Sequence, residues 1–448
     1  MISAKEFVFV DYKPDWQKGE IFFTYSIDLD GSTPKTFIEK LELPKPVDIS
    51  KISNVTLNNI LQSIHLVLGV SYYKLFVPPK ISTSKYTLTK EQAHFWDILY
   101  TKGLGEFFYK NKLDYRGLIH FPFGDNPSTI DSNTHHPTDR SLVTLGGGKD
   151  SIVTLELLKE KNINFDLFSL NIFPVQEKVA AIAQKKAMVV RRTIDKQILE
   201  LNQTGQVYNG HVPISAIYAF VALLYALLYD YSYIVFSNER SSNYGNITYL
   251  DEVVSHQWSK SFEFEILFSE YIKMFVSKDV QYFSFIRPFY EIKIAEIFTR
   301  FPQYFQTFSS SNHNFRINKN NNSHRWDYSS AKTVFVFCIL SAFLPKKHML
   351  EIFDKNLYSE KRLIPIFQEL LGEGNTKPFE CVGTPQEMKV ALYRAYRRGE
   401  YLNDCIMEEL EDRLLSNIES IAQAEREVFS YGNDSNIPEK FKSIIYEN

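Results

Sequence analysis

The stretch that decides the fold is Leu142-Val143-Thr144-Leu145-Gly146-Gly147-Gly148-Lys149-Asp150-Ser151. Its first residues form a short apolar run, which predicts a buried strand, and the apolar period over residues 152–158 predicts a helix. A glycine turn between a strand and a helix leaves backbone N–H groups unpaired at the positive end of the helix dipole. We therefore predict a phosphate site formed by Gly146, Gly147, Gly148, Lys149, Asp150 and Ser151.

The residue types in this loop narrow the kind of phosphate site. The common ATPase loop, GxxxxGK[ST], has four residues between its glycines and a Lys directly before the Ser or Thr. This loop has neither of these two features. A carboxylate at Asp150 suits Mg²⁺ and a hydroxyl at Ser151 suits a phosphate oxygen, although both residue types also cap helices. The order Gly-Gly-Gly-Lys-Asp-Ser resembles the SGGxDS loop of the PP-loop ATP pyrophosphatases, which cleave ATP to AMP and pyrophosphate. The alternative is a tight turn that binds nothing.

The composition is that of a globular protein, with 448 residues of which 44% are hydrophobic and 23% charged. A net charge of −3 argues against an extended basic face, so no nucleic-acid partner is expected. Cys338, Cys381 and Cys405 are odd in number and far apart, which predicts free thiols in a reducing, cytoplasmic compartment. Residues 1–6 lack the basic and apolar pattern of a secretory signal.

Residues 212–229 are apolar enough to be compared with a membrane span. The segment barely reaches spanning length, begins beside Pro213 and lacks basic flanks. A second apolar run, at residues 233–236, follows closely. We therefore predict a helix buried inside an α/β domain and no membrane partner.

Residues 1–137 are predicted to form a small α+β N-terminal domain. Strand-forming residues are concentrated at 6–12 and 20–27, and residues 28–34 have the composition of a turn. Helical periods cover residues 55–67 and 90–100, the second with Thr89 as its N-cap. Residues 123–137 are rich in Asp, Asn, Pro, Ser and His, which indicates a linker.

Residues 138–448 are predicted to form an α/β domain with a parallel sheet, flanking helices and a helical C-terminal extension. Strands are predicted at 142–145, 165–170, 233–236 and 281–286, and helices at 151–158, 176–191, 214–229, 262–275 and 404–429. Strands that alternate with helices imply a parallel sheet, and ligands of such sheets bind at the carboxyl ends of the strands. The Gly146 loop and the loops that begin at residues 171, 237 and 287 are expected at those ends.

Three polar segments near strand ends or helix starts are candidate substrate sites. The loop of residues 237–246 is longer and more polar than a connection needs, which favours binding by Asn238, Glu239, Arg240 and Asn246 over a bland connection. His211, in an Asn-Gly-His-Val-Pro corner, is a candidate that packing explains equally well. Arg287 is suited to a phosphate or carboxylate, and the alternative for it is an ion pair with Glu291.

Residues 377–383, Lys-Pro-Phe-Glu-Cys-Val-Gly, are a further candidate for chemistry. A thiol or carboxylate on a loop beside glycine can transfer protons when its pKa is matched to the task, so Glu380 and Cys381 are catalytic candidates. The alternative for Cys381 is inert packing, because a lone cysteine is usually buried and unreactive.

Taken in order, the segments GGGKDS, NGHVPISAI, SNERSSNYGN, RPFYEIKIAEIF and KPFECVG resemble the UDP-N-acetylmuramoyl-L-alanyl-L-glutamate epimerase family of bacterial cell-wall synthesis. The likeness covers residues 55–400 and implies a PP-loop fold, similar to adenine nucleotide alpha hydrolases. It also implies ATP and Mg²⁺ as cofactors, a UDP-muramoyl-dipeptide substrate, and Lys149 and Asp150 as catalytic residues. The implied reaction adenylates the terminal L-glutamate, exchanges its α-proton and releases the D-glutamate form with AMP and pyrophosphate. Competing predictions are a tRNA-modifying or amide-forming PP-loop enzyme and a non-catalytic nucleotide-binding paralogue.

One departure from related sequences concerns metal binding. Relatives with this loop often carry four cysteines of a zinc site where this chain has Ser311, Asp327, Ser330 and Thr333. One carboxylate and three hydroxyls do not form a structural zinc site, so no zinc is expected. Either hydrogen bonds replace the metal, or the chain is a diverged paralogue with altered activity.

Overall fold

The computed structural model describes residues 2–31, 33–125, 137–310, 325–374, 377–416 and 418–447. Most of the predicted linker, the Asn-rich residues 318–322 and Ser311 lie outside these ranges.

The strands, numbered along the chain, are β1 (Ala4–Asp15), β2 (Glu20–Leu29), β3 (Lys35–Glu42), β4 (Lys80–Thr83), β5 (Ser141–Thr144), β6 (Phe165–Leu170), β7 (Ala187–Thr193), β8 (Tyr233–Phe236), β9 (Ile247–Tyr249), β10 (Glu252–Val254) and β11 (Gln281–Ser284). Nine of them form one sheet in the order β11-β8-β5-β6-β7-β3-β2-β1-β4, and β9 and β10 pair as a separate hairpin.

The helices are α1 (Asn54–Tyr73), α2 (Lys90–Gly103), α3 (Gly105–Lys110), α4 (Lys149–Glu160), α5 (Pro174–Ala183), α6 (Gln197–Thr204), α7 (Ile214–Tyr229), α8 (Phe262–Phe275), α9 (Glu291–Phe298), α10 (Ala331–Ser341), α11 (Lys346–Phe353), α12 (Ile364–Leu370), α13 (Pro385–Arg397), α14 (Cys405–Ser416), α15 (Ile418–Val428) and α16 (Glu439–Tyr446). Within the described ranges, no helix combines the length and apolar character that a membrane crossing requires.

The N-terminal strands form an antiparallel meander, which confirms the two predicted strands. β1 pairs with β2 and β2 pairs with β3, while β4 adds to β1 in parallel. Alternate residues of β2 are buried, as expected for a sheet with one covered face. The predicted cap of α2 is present as a capping box, in which Thr89 and Gln92 exchange side-chain and backbone hydrogen bonds.

In the parallel half of the sheet, the order in which strands are added reverses between β5 and β8, which are neighbours. β5 has β6 on one side and β8 on the other, and all three run in parallel. After β5 the chain forms β6 on one side of that strand, and a later part of the chain forms β8 on the other side. A crevice therefore opens at the carboxyl ends of β5 and β8, where doubly wound sheets bind ligands. The Gly146 loop follows β5, and the loop that begins at Ser237 follows β8.

The helix predicted at residues 176–191 is wrong beyond Ala183. Gln184 adopts a left-handed conformation with φ of 56°, which ends α5. The following residues form β7, which pairs in parallel with β6. The β-branched Val189 and Val190 favour a strand, and the edge of β6 supplies the hydrogen-bond partners that a sequence pattern does not reveal.

β3, which the sequence pattern did not predict, joins the two parts of the sheet. It pairs in antiparallel with β7, with Leu41 opposite Arg192. The guanidinium of Arg192 contacts Glu39 at 2.5 Å, and Glu39 is fully buried. The fold is therefore mixed α/β, with an antiparallel meander continuous with a parallel sheet. The division into domains at residue 137 stays a prediction.

The C-terminal helices pack as a layer against the parallel half of the sheet. α13 contacts α10 and α15, and α4 contacts α9. One hydrophobic core, which includes Ile152, Phe283, Phe335 and Met388, runs from the sheet into these helices. This layer holds the loop before α13, which contains Cys381, near the carboxyl ends of the strands.

Candidate active site

The glycine loop has the geometry of a phosphate cradle. Gly147 has φ of +79°, a conformation that L side chains rarely adopt, and its N–H donates to the Ser151 hydroxyl at 3.0 Å. Ser151 in turn donates to the Gly148 carbonyl at 3.0 Å. Among the described residues, no side chain caps the N-terminus of α4. The first N–H groups of α4 are therefore directed at the crevice.

Three carboxylates lie together beside this loop. Oxygen atoms of Asp150, Glu239 and Glu291 lie within 4.8 Å of one another. They come from the first turn of α4, the loop after β8 and the first turn of α9. The buried Lys149 ammonium contacts Asp150 at 2.5 Å and also contacts Glu291. Oxygen ligands converging on one point are the donor set that Mg²⁺ prefers, so these residues fit such an ion.

One residue of the loop after β8 belongs to the carboxylate cluster, and two others have structural contacts instead. Asn238 is buried and donates to Ser284 at 3.0 Å, which ties the β8 loop to β11. Arg240 stacks on the Tyr290 ring at 4.4 Å, away from the carboxylates. Glu239 is the residue of this trio that faces the carboxylate cluster.

Arg287 braces the walls of the site from inside the protein. Its guanidinium contacts Glu265 at 2.8 Å, the Glu239 carbonyl at 2.8 Å and the Lys260 carbonyl at 2.8 Å. The partner of Arg287 is thus Glu265, whereas Glu291 pairs with Lys149. These contacts hold the β8 loop against the segment before α8, and binding of a ligand by Arg287 stays a prediction.

Cys381 lies among positive charges. The Lys260 ammonium is 3.7 Å from the Cys381 sulfur, and His256 lines the same small cavity as Cys381. Burial alone would raise the pKa of the Cys381 thiol, but Lys260, Lys332 and His256 outweigh burial and lower the pKa to about 6. At neutral pH the sulfur is therefore mainly a thiolate.

His256 connects Cys381 to a buried carboxylate. Its Nδ1 lies 2.5 Å from a Glu106 oxygen, and Glu106 also contacts Lys110 at 2.5 Å. Burial opposes the charge on His256, but hydrogen bonds with Cys381 and Glu106 raise its pKa to about 9. The rings of His211 and His256 are tilted by 42° with their centroids 4.9 Å apart, and burial together with the neighbouring His256 lowers the pKa of His211 to about 4. His211 is therefore neutral.

Lys260 lies between the two halves of the site. Burial opposes its charge, but Cys381, Glu239 and Asp150 raise its pKa. The carboxylate cluster and the Cys381 thiolate are thus near enough to act on one ammonium. A small cavity at this point is lined by Glu239, His256, Lys260, Lys377 and Cys381.

Asn246 fixes the far wall of the cavity. Its amide donates to the Pro378 carbonyl at 2.6 Å, and its side-chain oxygen accepts the His256 N–H at 2.7 Å. It therefore joins the His256 segment to the loop of Cys381. Asn246 and Lys377 also line a wider open groove of about 370 Å³.

Glu380, predicted as a proton-transfer candidate, is engaged at the start of α10. Its carboxylate accepts from the Ser330 hydroxyl at 2.7 Å and from the Lys332 N–H at 2.8 Å. Ser330 also caps α10 by accepting from Thr333, and Asp327 accepts from Ser329. Three of the four positions where relatives often have cysteine thus lie in a hydrogen-bonded helix start. The fourth, Ser311, is outside the described ranges.

Sequence reasoning did not single out Glu106, His256, Lys260 or the carboxylate of Glu291 as site residues. Glu291 lies in a quoted family segment, and its position after a strand was an available signal. Glu106 and His256 lie 150 positions apart, and no local pattern in the sequence pairs them. Only their approach in the folded chain identifies them.

Comparisons with known proteins identify the family of this chain. A family model described as the MurL N-terminal domain matches residues 2–285, and one described as the MurL C-terminal domain matches residues 307–425. The chain belongs to the MurL family. A Xanthomonas oryzae relative is 33% identical over 409 residues, which cover 90% of this chain and 88% of the relative. It is named UDP-N-acetyl-alpha-D-muramoyl-L-alanyl-L-glutamate epimerase.

Two more MurL relatives carry the same name. The Micromonospora protein is 32% identical over 98% of this chain and 97% of its own length. The Salinispora tropica protein is 32% identical over 98% of this chain and 95% of its own length. No solved structure matches the chain.

Proposed function

We propose that this MurL protein epimerises the terminal L-glutamate of UDP-N-acetylmuramoyl-L-alanyl-L-glutamate, using ATP, in peptidoglycan precursor synthesis. The observation that carries the proposal is the position of Lys260, between the carboxylates beside the glycine loop and the Cys381 sulfur. A nucleotide site and a proton-transfer group meet at one cavity. A reducing compartment, the cytoplasm, would preserve the Cys381 thiol.

The glycine loop and its carboxylates would carry out the first half of the reaction. Backbone N–H groups at the start of α4 bind the phosphates, and Asp150, Glu239 and Glu291 hold Mg²⁺. The ion supplies neutralisation of phosphate charge. Lys149 sits between Asp150 and Glu291 and adds a second positive charge for the phosphates. The substrate carboxylate attacks the α-phosphate, the bond to pyrophosphate breaks, and an acyl-adenylate forms.

Adenylation explains why an epimerase would use ATP. The α-proton of a free carboxylate is very weakly acidic, because its removal would place a second negative charge beside the first. In the mixed anhydride the carboxyl oxygens no longer carry a negative charge, so removal of the α-proton gives an enolate with a single negative charge on the carbonyl oxygen. Hydrolysis of the anhydride after epimerisation releases AMP and leaves the D-glutamate carboxylate.

Cys381 is the proposed base for the α-proton. Its thiolate lies in the cavity, and the wider groove beside Asn246 and Lys377 gives room for the peptide end of the substrate. The proton passes from the α-carbon to the sulfur, and a proton is returned to the opposite face. Lys377, whose pKa burial lowers, lines the same cavity and is the proposed second donor.

Incubation with ATP, Mg²⁺ and a panel of UDP-muramoyl-peptides tests the proposal. Chiral analysis should show that the terminal L-glutamate of the L-alanyl-L-glutamate substrate has become D-glutamate. Equal amounts of AMP and pyrophosphate should form with it. AMP formed without inversion would instead support an amide-forming or tRNA-modifying PP-loop enzyme. No nucleotide cleavage with any peptide would support a non-catalytic paralogue.

A further inference from the structure

We infer that Glu106 and His256 are positioning residues that hold the Cys381 sulfur as the reactive group of the cavity. The inference rests on the proposed function of Cys381 in proton transfer. It assigns a role to α3, a helix outside the parallel half of the fold.

Glu106, His256 and Cys381 follow one another towards the cavity. The Glu106 carboxylate meets His256 Nδ1 at 2.5 Å, and His256 lines the same small cavity as Cys381. A carboxylate bonded to one ring nitrogen fixes the orientation of the ring and favours its protonated form. The same logic operates where a nucleophile is oriented by a base that is itself oriented by a third group.

The three residues come from separate segments that the fold holds rigidly. Glu106 lies on α3, His256 follows β10, and Cys381 lies on the loop before α13. Asn246 hydrogen-bonds both the His256 backbone and the loop of Cys381. Neutral His211 covers the His256 ring. The imidazole is therefore fixed from several directions, as a positioning group must be.

The charges around the sulfur come from every element packed against it. Lys260 precedes α8, Lys332 begins α10, and His256 follows β10; all three favour the thiolate. Lys377 and Glu380 lie on the loop of Cys381 itself, and Glu380 is bonded to the start of α10. Beyond Lys260 lie Asp150 and Glu239.

Removal of the Glu106 charge should therefore act on Cys381 from a distance. Glu106→Gln keeps the size of the side chain and one oxygen acceptor but removes the charge that supports protonated His256. The imidazolium is then less favoured, and the pKa of the Cys381 thiol should rise. His256→Asn removes the contact with the sulfur altogether and should have the larger effect.

The experiment follows the ultraviolet absorbance of the Cys381 thiolate as a function of pH in the substrate-free protein. The absorbance of the same variant with Cys381→Ser added is subtracted at each pH, and the midpoint of the remaining curve is the thiol pKa. We expect the midpoint to move to higher pH in Glu106→Gln and further in His256→Asn. Epimerisation should slow by at least about tenfold in Glu106→Gln, with kcat affected more than KM. Glu156→Gln, which removes a buried carboxylate bonded to Tyr304, is the matched control and should leave the midpoint unchanged.

An unchanged thiolate midpoint in folded Glu106→Gln and His256→Asn would overturn the inference. The measurement needs no substrate, so it is separate from the proposed function. If the thiolate midpoint shifts as expected but the wild-type protein epimerises no substrate, the positioning role stands and the epimerase proposal is rejected. Activity lost with the midpoint unmoved would show a structural role for Glu106 instead.

Discussion

Cys381 shows how neighbours change what a residue type does. Burial by itself would make its thiol a weaker acid, yet Lys260, Lys332 and His256 lower its pKa to about 6. Cys338 lies in the same chain without such neighbours, and burial raises its pKa to about 12. The contrast assigns reactivity to Cys381 and inert packing to Cys338.

The pH dependence of the L-to-D reaction tests the role of Cys381. In the proposed reaction the thiolate removes the α-proton, so kcat/KM should be level above the thiol pKa of about 6 and fall by about tenfold per pH unit below it. Cys381→Ser should lower epimerisation by roughly a hundredfold or more while adenylation continues. Cys405→Ser is the control. Normal turnover in Cys381→Ser would place the base elsewhere.

Asp150 is the carboxylate that the glycine loop presents to the site. Asp150→Asn removes one charge from the group of three while keeping the side chain's size. Formation of AMP at saturating ATP should fall by at least about a hundredfold and recover in part at high Mg²⁺ concentration. The check is AMP release against Mg²⁺ concentration, with exposed Asp139→Asn as control. AMP production at the wild-type rate would contradict the assignment.

At the scale of elements, the pairing of β3 with β7 joins the meander to the parallel sheet. Glu39 and Arg192 lie at this junction, and the guanidinium also donates to Ser71 on α1. Both strands present these charges inward, where they satisfy each other. The junction therefore ties the N-terminal strands and α1 to the parallel sheet.

Loss of this buried pair should destabilise the protein. Arg192→Met leaves the Glu39 carboxylate buried without its partner, and the free energy of unfolding should fall by about 3–5 kcal/mol. Urea unfolding followed by circular dichroism measures the change. Arg300→Met, which breaks an exposed pair with Glu160, should cost about 1 kcal/mol or less. Equal effects of the two substitutions would show that the junction contributes little.

At the scale of the whole molecule, the two halves of the proposed reaction lie on different parts of the fold. The strand ends and α4 would bind the nucleotide, while α3, the β9–β10 hairpin and the loop before α13 surround Cys381. Lys260 is near both. In the proposed reaction, an activated carboxyl group and the Cys381 thiolate would meet in the cavity that Lys260 and Cys381 line.

Reaction in D₂O tests that whole arrangement. An α-proton that leaves and returns exchanges with solvent, so the D-glutamate product should carry deuterium at its α-carbon. AMP and pyrophosphate, rather than ADP, should accompany it. Mass spectrometry of the product measures the label, and the reaction without ATP is the control. Inversion without deuterium would reject proton transfer through a solvent-exchanging group.

Local patterns were sufficient for much of the fold. The strand, glycine turn and helix around Gly147, the capping box of α2 and the buried helix α7 depend on neighbouring residues. Such features follow from propensity, period and turn chemistry. The same reasoning failed after Ala183, because β7 is specified by the edges of β6 and β3 as much as by its own residues.

The sequence by itself determined the glycine loop, Asp150 as its acidic residue, and the family resemblance. Only the tertiary structure decided that Arg287 pairs with Glu265, that Glu380 is bonded to α10, and that Cys381 meets Lys260 and His256. The reason is physical. A charge acts on whatever lies within a few ångströms, and Glu106 and His256, 150 positions apart in the chain, become neighbours only when the chain folds.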